Sequence, residues 1–207
     1  MSAFLALVGA AAFAADDPGI PADRKRQLMA EYATCVVKHM RGKAKSVVLS
    51  NRESSAAVAR FDDVLSPECM PVNGGDGLLT MRTWPILIRE ALAQALLQTE
   101  SSLGLPSLAT TPPLEHGTTT KSSSKGADLG IAMSRLGECV VRAAPDASTK
   151  LIRTDIAGPA ESAAFDHLKP AVSSCLSAGQ TIEFSPEMLR GAIALNVYRL
   201  AKAGEKK

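Results

Sequence analysis

Aromatic side chains are scarce in this chain, at 4% of 207 residues with a single tryptophan, while Ala and the aliphatics supply most of a 46% hydrophobic content. Rings and β-branched residues favour strands, whereas Ala and Leu favour helix, so the composition points to an all-α fold. An excess of one charge is also missing: 23 basic residues against 21 acidic ones leave a net charge of +2. No global basic field is present to attract nucleic acid, and none is expected as a partner. The apolar run at residues 3–15 has thirteen residues, and crossing a bilayer core takes roughly 20. No transmembrane anchor is expected.

Recognised chemistry is absent as well. The three histidines, His39, His116 and His167, are scattered, and the chain has no Gly-x-Ser-x-Gly elbow, His-Glu-x-x-His helix, phosphate loop or dinucleotide fingerprint. Zinc is disfavoured because there is no Cys-x-x-Cys spacing and no neighbouring His pair. No catalytic residue, metal or cofactor is assigned. "NGGDG" at 73–77 reads as a glycine-rich turn rather than a calcium loop, since it occurs once.

What is present begins with residues 1–15, an expected signal peptide in which Ala12-Phe13-Ala14 has the small-x-small spacing of a cleavage site. No Lys or Arg precedes its apolar run. A buried N-terminal helix is the alternative. Export, to a periplasmic or extracellular space, also suits the four cysteines, because paired cysteines in such proteins form disulfides.

The cysteines carry the main signal. Cys35-Val-Val-Lys38 is echoed by Cys139-Val-Val-Arg142, and Phe61-Asp62 and Phe165-Asp166 both begin 26 residues after their cysteine. Cys69 and Cys175 follow, and then "LIREALAQALL" (87–97) matches "MLRGAIALNVY" (188–198), which sets Arg89 on Arg190. This ordered series implies tandem duplication of a small helical unit. It selects the pairing Cys35–Cys69 and Cys139–Cys175, in which each unit closes its own loop and gains about 4 kcal/mol on the chain-entropy model.

The expected organisation is a signal peptide (1–15), unit one (23–98), a Ser/Thr/Pro/Gly-rich linker (99–127) and unit two (128–203), with three helices per unit and six in all. The linker tract from Thr110 to Lys125 is expected to be mobile. The first helix of unit one starts with Asp23 as N-cap and ends at Gly42, and Pro145 ends its counterpart. "SVVLS" (46–50) and "KLIRT" (150–154) read as short extended segments. Ser50 with Glu53 suggests a capping box for the second helix, and the second cysteines sit in loops opened by Pro67 and Pro170. Ser185, Pro186 and Glu187 open the last helix, Phe184 and Leu189 stand as a staple, and Thr83 caps the equivalent helix before Trp84.

Two charged sets stand out. Asp62 with Asp166 and Arg89 with Arg190 recur in both units, which suggests that each aspartate holds the arginine of its own unit through a two-pronged ion pair. Arg24, Lys25, Arg26, Lys38, Arg41, Lys43 and Lys45 make the first helix basic. Such a strip is either a solvated face or a contact for an anionic surface: lipid headgroups, envelope polymer or an acidic protein. Two function classes follow. One is an exported, non-catalytic binding or envelope-associated protein with an unknown protein or envelope component as partner. The other is a small exported enzyme whose site uses residues that duplication left asymmetric, such as His39, Asp63 or His167. A deep polar cleft joining a histidine to a carboxylate would favour the enzyme, and a shallow apolar groove would favour binding.

Overall fold

Six α-helices and no strand make up the regular structure among the described residues, apart from one 3-10 turn. The computed structural model describes residues 20–50, 64–70, 85–100, 108–117, 125–176 and 184–205. The leader, the Ser50–Glu53 box, Asp62, Asp63, Thr83, Trp84 and the 73–77 glycine turn extend beyond or lie outside these residues.

Helix α1 (Ala22–Leu49) has Pro21 at its N-cap position, two residues before the expected cap, and Asp23 in its first turn. It does not end at Gly42. It breaks at Met40, where φ is −133° and ψ is 40°, and resumes to Leu49. Ala44, Val47 and Val48 recur on one face of the resumed helix and are buried, so burial overrides the strand preference of the valines. The second half does the same. Helix α3 (Lys125–Ala143) stops, Ala144 takes φ −143° and ψ 66°, and α4 (Pro145–Arg153) buries Leu151 and Ile152. Both expected extended segments are therefore helical, and the second half has four helices rather than three.

Met40 and Ala144 each lie five residues after a cysteine. The helices that follow end alike. Ser50 and Thr154 are extended C-caps whose hydroxyls donate back to the carbonyls of Val47 (2.8 Å) and Leu151 (2.7 Å). Ser50 thus ends a helix, with its hydroxyl turned backward along the chain.

The disulfides are Cys35–Cys69 and Cys139–Cys175, with Cα separations of 5.5 and 5.8 Å. Cys69 lies in the 3-10 turn Pro67–Cys69, which is tied to α1 through the Tyr32 hydroxyl. That hydroxyl donates to Val64 O (3.0 Å) and accepts from Ser66 N (3.1 Å). Cys175 ends helix α5 (Pro159–Cys175), which runs straight through Pro170 instead of stopping there. Pro170 is exposed, while Leu168, Ala171 and Val172 are buried and hold the helix together past the missing N–H.

Helices α2 (Pro85–Thr99) and α6 (Pro186–Gly204) form the centre. Ser185 caps α6 by accepting from Met188 N at 3.3 Å, and every residue from Met188 to Ala201 is buried. α2 packs on α1, α6 packs on α3, and α2 and α6 pack on each other, while α5 covers α3 and α4. Glycine permits the close crossings. A Cβ on Gly137 would stand 2.6 Å from Ala192 O, and one on Gly191 would stand 2.7 Å from the Glu90 Cβ.

The described part of the connection, 108–117, is docked, so its expected mobility is corrected there. Arg142 donates to the carbonyls of Thr111 (2.7 Å), Pro112 (2.9 Å) and Ala109 (3.2 Å), and Leu108 is buried. Leu114 N donates to Glu138 at 3.0 Å, and Arg199 donates to Glu115 O at 3.0 Å. Carbonyls of a Pro-rich segment have no helix to satisfy them, so half-buried Arg142 on α3 and buried Arg199 on α6 provide the donors.

Candidate functional site

The two recurrent arginines are buried, at 3% exposure for Arg89 and 2% for Arg190. Each turns toward the end of the short helix stretch that follows a backbone break. Arg89 donates through Nη2 to Val48 O (3.1 Å) and to Ser50 O. Arg190 donates through Nη2 to Ile152 O (3.3 Å) and Thr154 O (2.7 Å). A helix C-terminus leaves carbonyls without intrahelical donors, and a guanidinium satisfies them while complementing the negative end of the dipole. The arginines therefore act as C-terminal caps.

The expected pairing of Arg190 with Asp166 is corrected. Asp166 is exposed on α5 and pairs with Lys169 at 2.7 Å. Arg190 pairs instead with buried Glu161, Nη1 to Oε1 at 2.9 Å. Five residues separate the two acids, about 140° around the helix axis, and Asp166 occupies the solvent side. Asp62 lies outside the described residues, so its partner is not assigned.

Glu161 is a hub. It stands in the first turn of α5, and its Oε2 accepts from Ala157 N at 2.9 Å, with Ala157 held at φ 63°. Its Oε1 also meets Arg26 Nη2 at 2.6 Å, joining α1 to α5. Burial pushes the Glu161 carboxyl up, but Arg26, the Ala157 N–H and Arg190 together bring it below the usual carboxylate value.

Beside this hub a cleft with a free volume of about 50 Å³ opens between α1, α2 and α6. Arg26, Gln94 and Arg190 line it together with two further acids, Glu90 and Glu187. Gln94 Oε1 accepts from Arg190 Nε at 3.0 Å. Glu90 is 3% exposed and has no hydrogen-bond or ion-pair partner among the described residues. Burial raises its carboxyl well above the ordinary value; Arg89 opposes the rise and Glu187 adds to it. Burial raises Glu187 too, with Arg26 opposing and Glu161 adding. The Nε of Arg26 is buried without an acceptor among the described residues.

The basic strip divides. Arg24 pairs with Glu31 at 2.7 Å, Arg26 is turned inward onto Glu161, and Lys45 pairs with Glu100 at 2.7 Å. Glu100 is shared with Lys202 at 3.1 Å, so this pair ties α1 to α6. Lys25 is half-buried near the start of α1. Lys38, Arg41 and Lys43 are exposed around the Met40 break, with no acidic partner among the described residues, and exposed His39 lies among them.

His39 thus faces solvent rather than the apolar interior, and His167 is exposed on α5. Asp63 lies outside the described residues. His116 is the histidine that meets a carboxylate. Its Nε2 bonds Glu138 Oε2, and its Nδ1 lies 3.1 Å from Ser134 Oγ. The order Ser–His–Glu resembles a hydrolase triad, but Ser134 is 1% exposed within α3. The flanking N–H groups of a mid-helix serine are engaged in the helix and offer no oxyanion hole. Burial pushes Glu138 up, yet His116, the Leu114 N–H and Arg142 hold it down at about 2. The trio fastens the 108–117 strap.

Glu161 and Glu90 escaped the sequence reading, and Glu187 reads there only as the first-turn acid of the last helix. Glu161 carried a weak signal, an acid in the first turn after Gly158-Pro159. Glu90 carried a clearer one: the aligned segments read Arg89-Glu90 and Arg190-Gly191, and an acid opposite a glycine marks a place where the halves differ. Among the described residues no group of three potential ligands could hold a metal ion, and no helix is long and apolar enough to cross a membrane. Comparison with family models, curated proteins and solved structures gives no match.

Proposed function

We propose that this protein is a tandem duplication of a disulfide-stapled helical unit, exported from the cytoplasm, that binds an anionic component of the cell envelope without catalysis. The basic knuckle at the α1 break is its contact surface. The observation that carries this reading is the exposure of Lys38, His39, Arg41 and Lys43 within six residues, none with an acidic partner among the described residues. The other strip residues, Arg24, Arg26 and Lys45, are engaged with acids of the protein itself. Cations left unneutralised at a bend project outward together, and near an anionic surface each contributes about 1 kcal/mol.

Duplication is supported by equivalent backbone breaks at Met40 and Ala144, and by equivalent arginine caps at Arg89 and Arg190. Glu90 and Gly191, which the alignment equates, touch each other, as residues do where a twofold axis passes. Export is supported by two closed disulfides, which persist in oxidising compartments. The second half has no counterpart to the knuckle, since Arg142 is taken up by the strap and Asp146 follows it.

The test is co-sedimentation of the oxidised protein with anionic and neutral vesicles, and with an anionic polymer, across a salt series. Binding to the anionic targets that weakens with salt, and is abolished by the triple change Lys38→Glu, Arg41→Glu and Lys43→Glu, is expected. Equal binding by that variant, or no binding by the unaltered protein, refutes the proposal. Lys150→Glu with Arg153→Glu on α4 serves as the control and leaves binding intact.

A further inference from the structure

The cleft between α1, α2 and α6 is separate from the knuckle and has its own chemistry. Its acidic wall holds Glu90, nine-tenths buried and more, with no side chain or backbone donor to it among the described residues. Leaving a buried carboxyl unmatched is costly, and native proteins keep such groups where something else supplies the partner. Gly191 is part of the same arrangement, because any side chain at that position would collide with Glu90. The apolar part of the lining comes from Met29, Leu87, Ala91 and Ile156. A free volume of about 50 Å³ accepts on the order of three or four water-sized groups.

We propose that this cleft binds a primary ammonium group on a short apolar stem, with the Glu90 carboxylate as its counter-charge, Glu187 as a second acceptor, and the stem enclosed by the apolar lining. The neighbouring cations do not forbid this. Arg89 is directed to the carbonyls of Val48 and Ser50, while Arg190 and Arg26 converge on Glu161. With Glu90, Glu161 and Glu187 ionised, the three acids balance the three arginines around the cleft. Burial favours a proton on Glu90, and an incoming ammonium replaces that proton without changing the total charge. Binding therefore releases a proton and strengthens as pH rises. The proposal stands apart from the anionic-surface reading and does not depend on it.

Calorimetric titration of the full oxidised chain with n-propylammonium tests it, with n-propanol and propionate as neutral and anionic analogues. Saturable binding of propylammonium alone is expected, with proton release measured as a dependence of the observed heat on buffer ionisation enthalpy. Glu90→Gln should weaken binding about tenfold or more, the loss of one charge-assisted contact, and Asp166→Asn should leave it unchanged. Ala91→Met, which fills the cleft and keeps Glu90, should also abolish it. Circular dichroism confirms that each variant is folded. Absence of saturable binding by the unaltered protein, propanol binding as tightly as propylammonium, or equal affinity in Glu90→Gln overturns the proposal.

Discussion

Glu90 and Gly191 meet where α2 crosses α6, and the helices approach closely because Gly191 has no side chain: a Cβ there would lie 2.7 Å from that of Glu90. The same device recurs at Gly137, where a Cβ would lie 2.6 Å from Ala192 O. Both contacts sit at the central helix, whose residues from Met188 to Ala201 are all buried.

Gly191→Ala and Gly137→Ala should each destabilise by about 1–3 kcal/mol, the cost of overpacking a tight core. Gly137→Ala should be the worse, because the obstructing atoms include backbone. Gly42→Ala meets nothing within 4 Å and should stabilise by about 1 kcal/mol through helix propensity. Urea unfolding midpoints at constant m-value measure all three.

Arg190→Met should cost about 3–5 kcal/mol, since it strips one partner from buried Glu161 and leaves the end of α4 without its donor. Arg89→Met should also destabilise, through loss of the α1 cap. Asp166→Asn, on the exposed face of α5, should leave the unfolding midpoint unchanged. A large loss at Asp166 would contradict the assignment of Glu161 as the arginine's partner.

Paired Cys35→Ala and Cys69→Ala changes, and separately Cys139→Ala and Cys175→Ala, should each cost about 2–5 kcal/mol. Peptide mapping of the unreduced protein should recover the two intra-half cystines. A cross-half cystine would contradict the fold.

Glu138 and Glu90 should give opposite pH signatures. Glu138 is held down at about 2 despite burial, so its contribution is complete above the usual carboxylate range and is lost as pH falls toward 2. Glu138→Gln should flatten that acid limb. Glu90 is raised by burial, so its contribution is present below the ordinary carboxylate value and is lost as pH rises through its elevated one. Glu90→Gln should accordingly raise stability at neutral pH and reduce the alkaline slope. Unfolding midpoints measured across pH separate the two effects.

The strap at 108–117 illustrates how reading the chain locally falls short. Its Ser/Thr/Pro composition has no apolar period, and composition alone suggests a free linker. Arg142, Arg199 and Glu138 fix it by reaching its backbone groups, and the distance between a helix face and a crossing segment leaves no local trace in the chain. The misread extended segments have a related cause. Val47, Val48 and Ile152 carry strand preference, but helical spacing buries them, with Leu151, on α1 and α4, and burial outweighs propensity.

By itself the amino-acid sequence determined the all-helical class, the two cystine partners and the matched positions of Arg89 and Arg190. These follow from composition, spacing and the order of residues along the chain. The tertiary structure alone decided what those arginines hold, that Glu161 rather than Asp166 is the buried acid, and that Glu90 is left facing a cleft. Choosing a charged partner depends on which side chains meet across packed helices at a few ångströms, and that proximity is created only when the core closes.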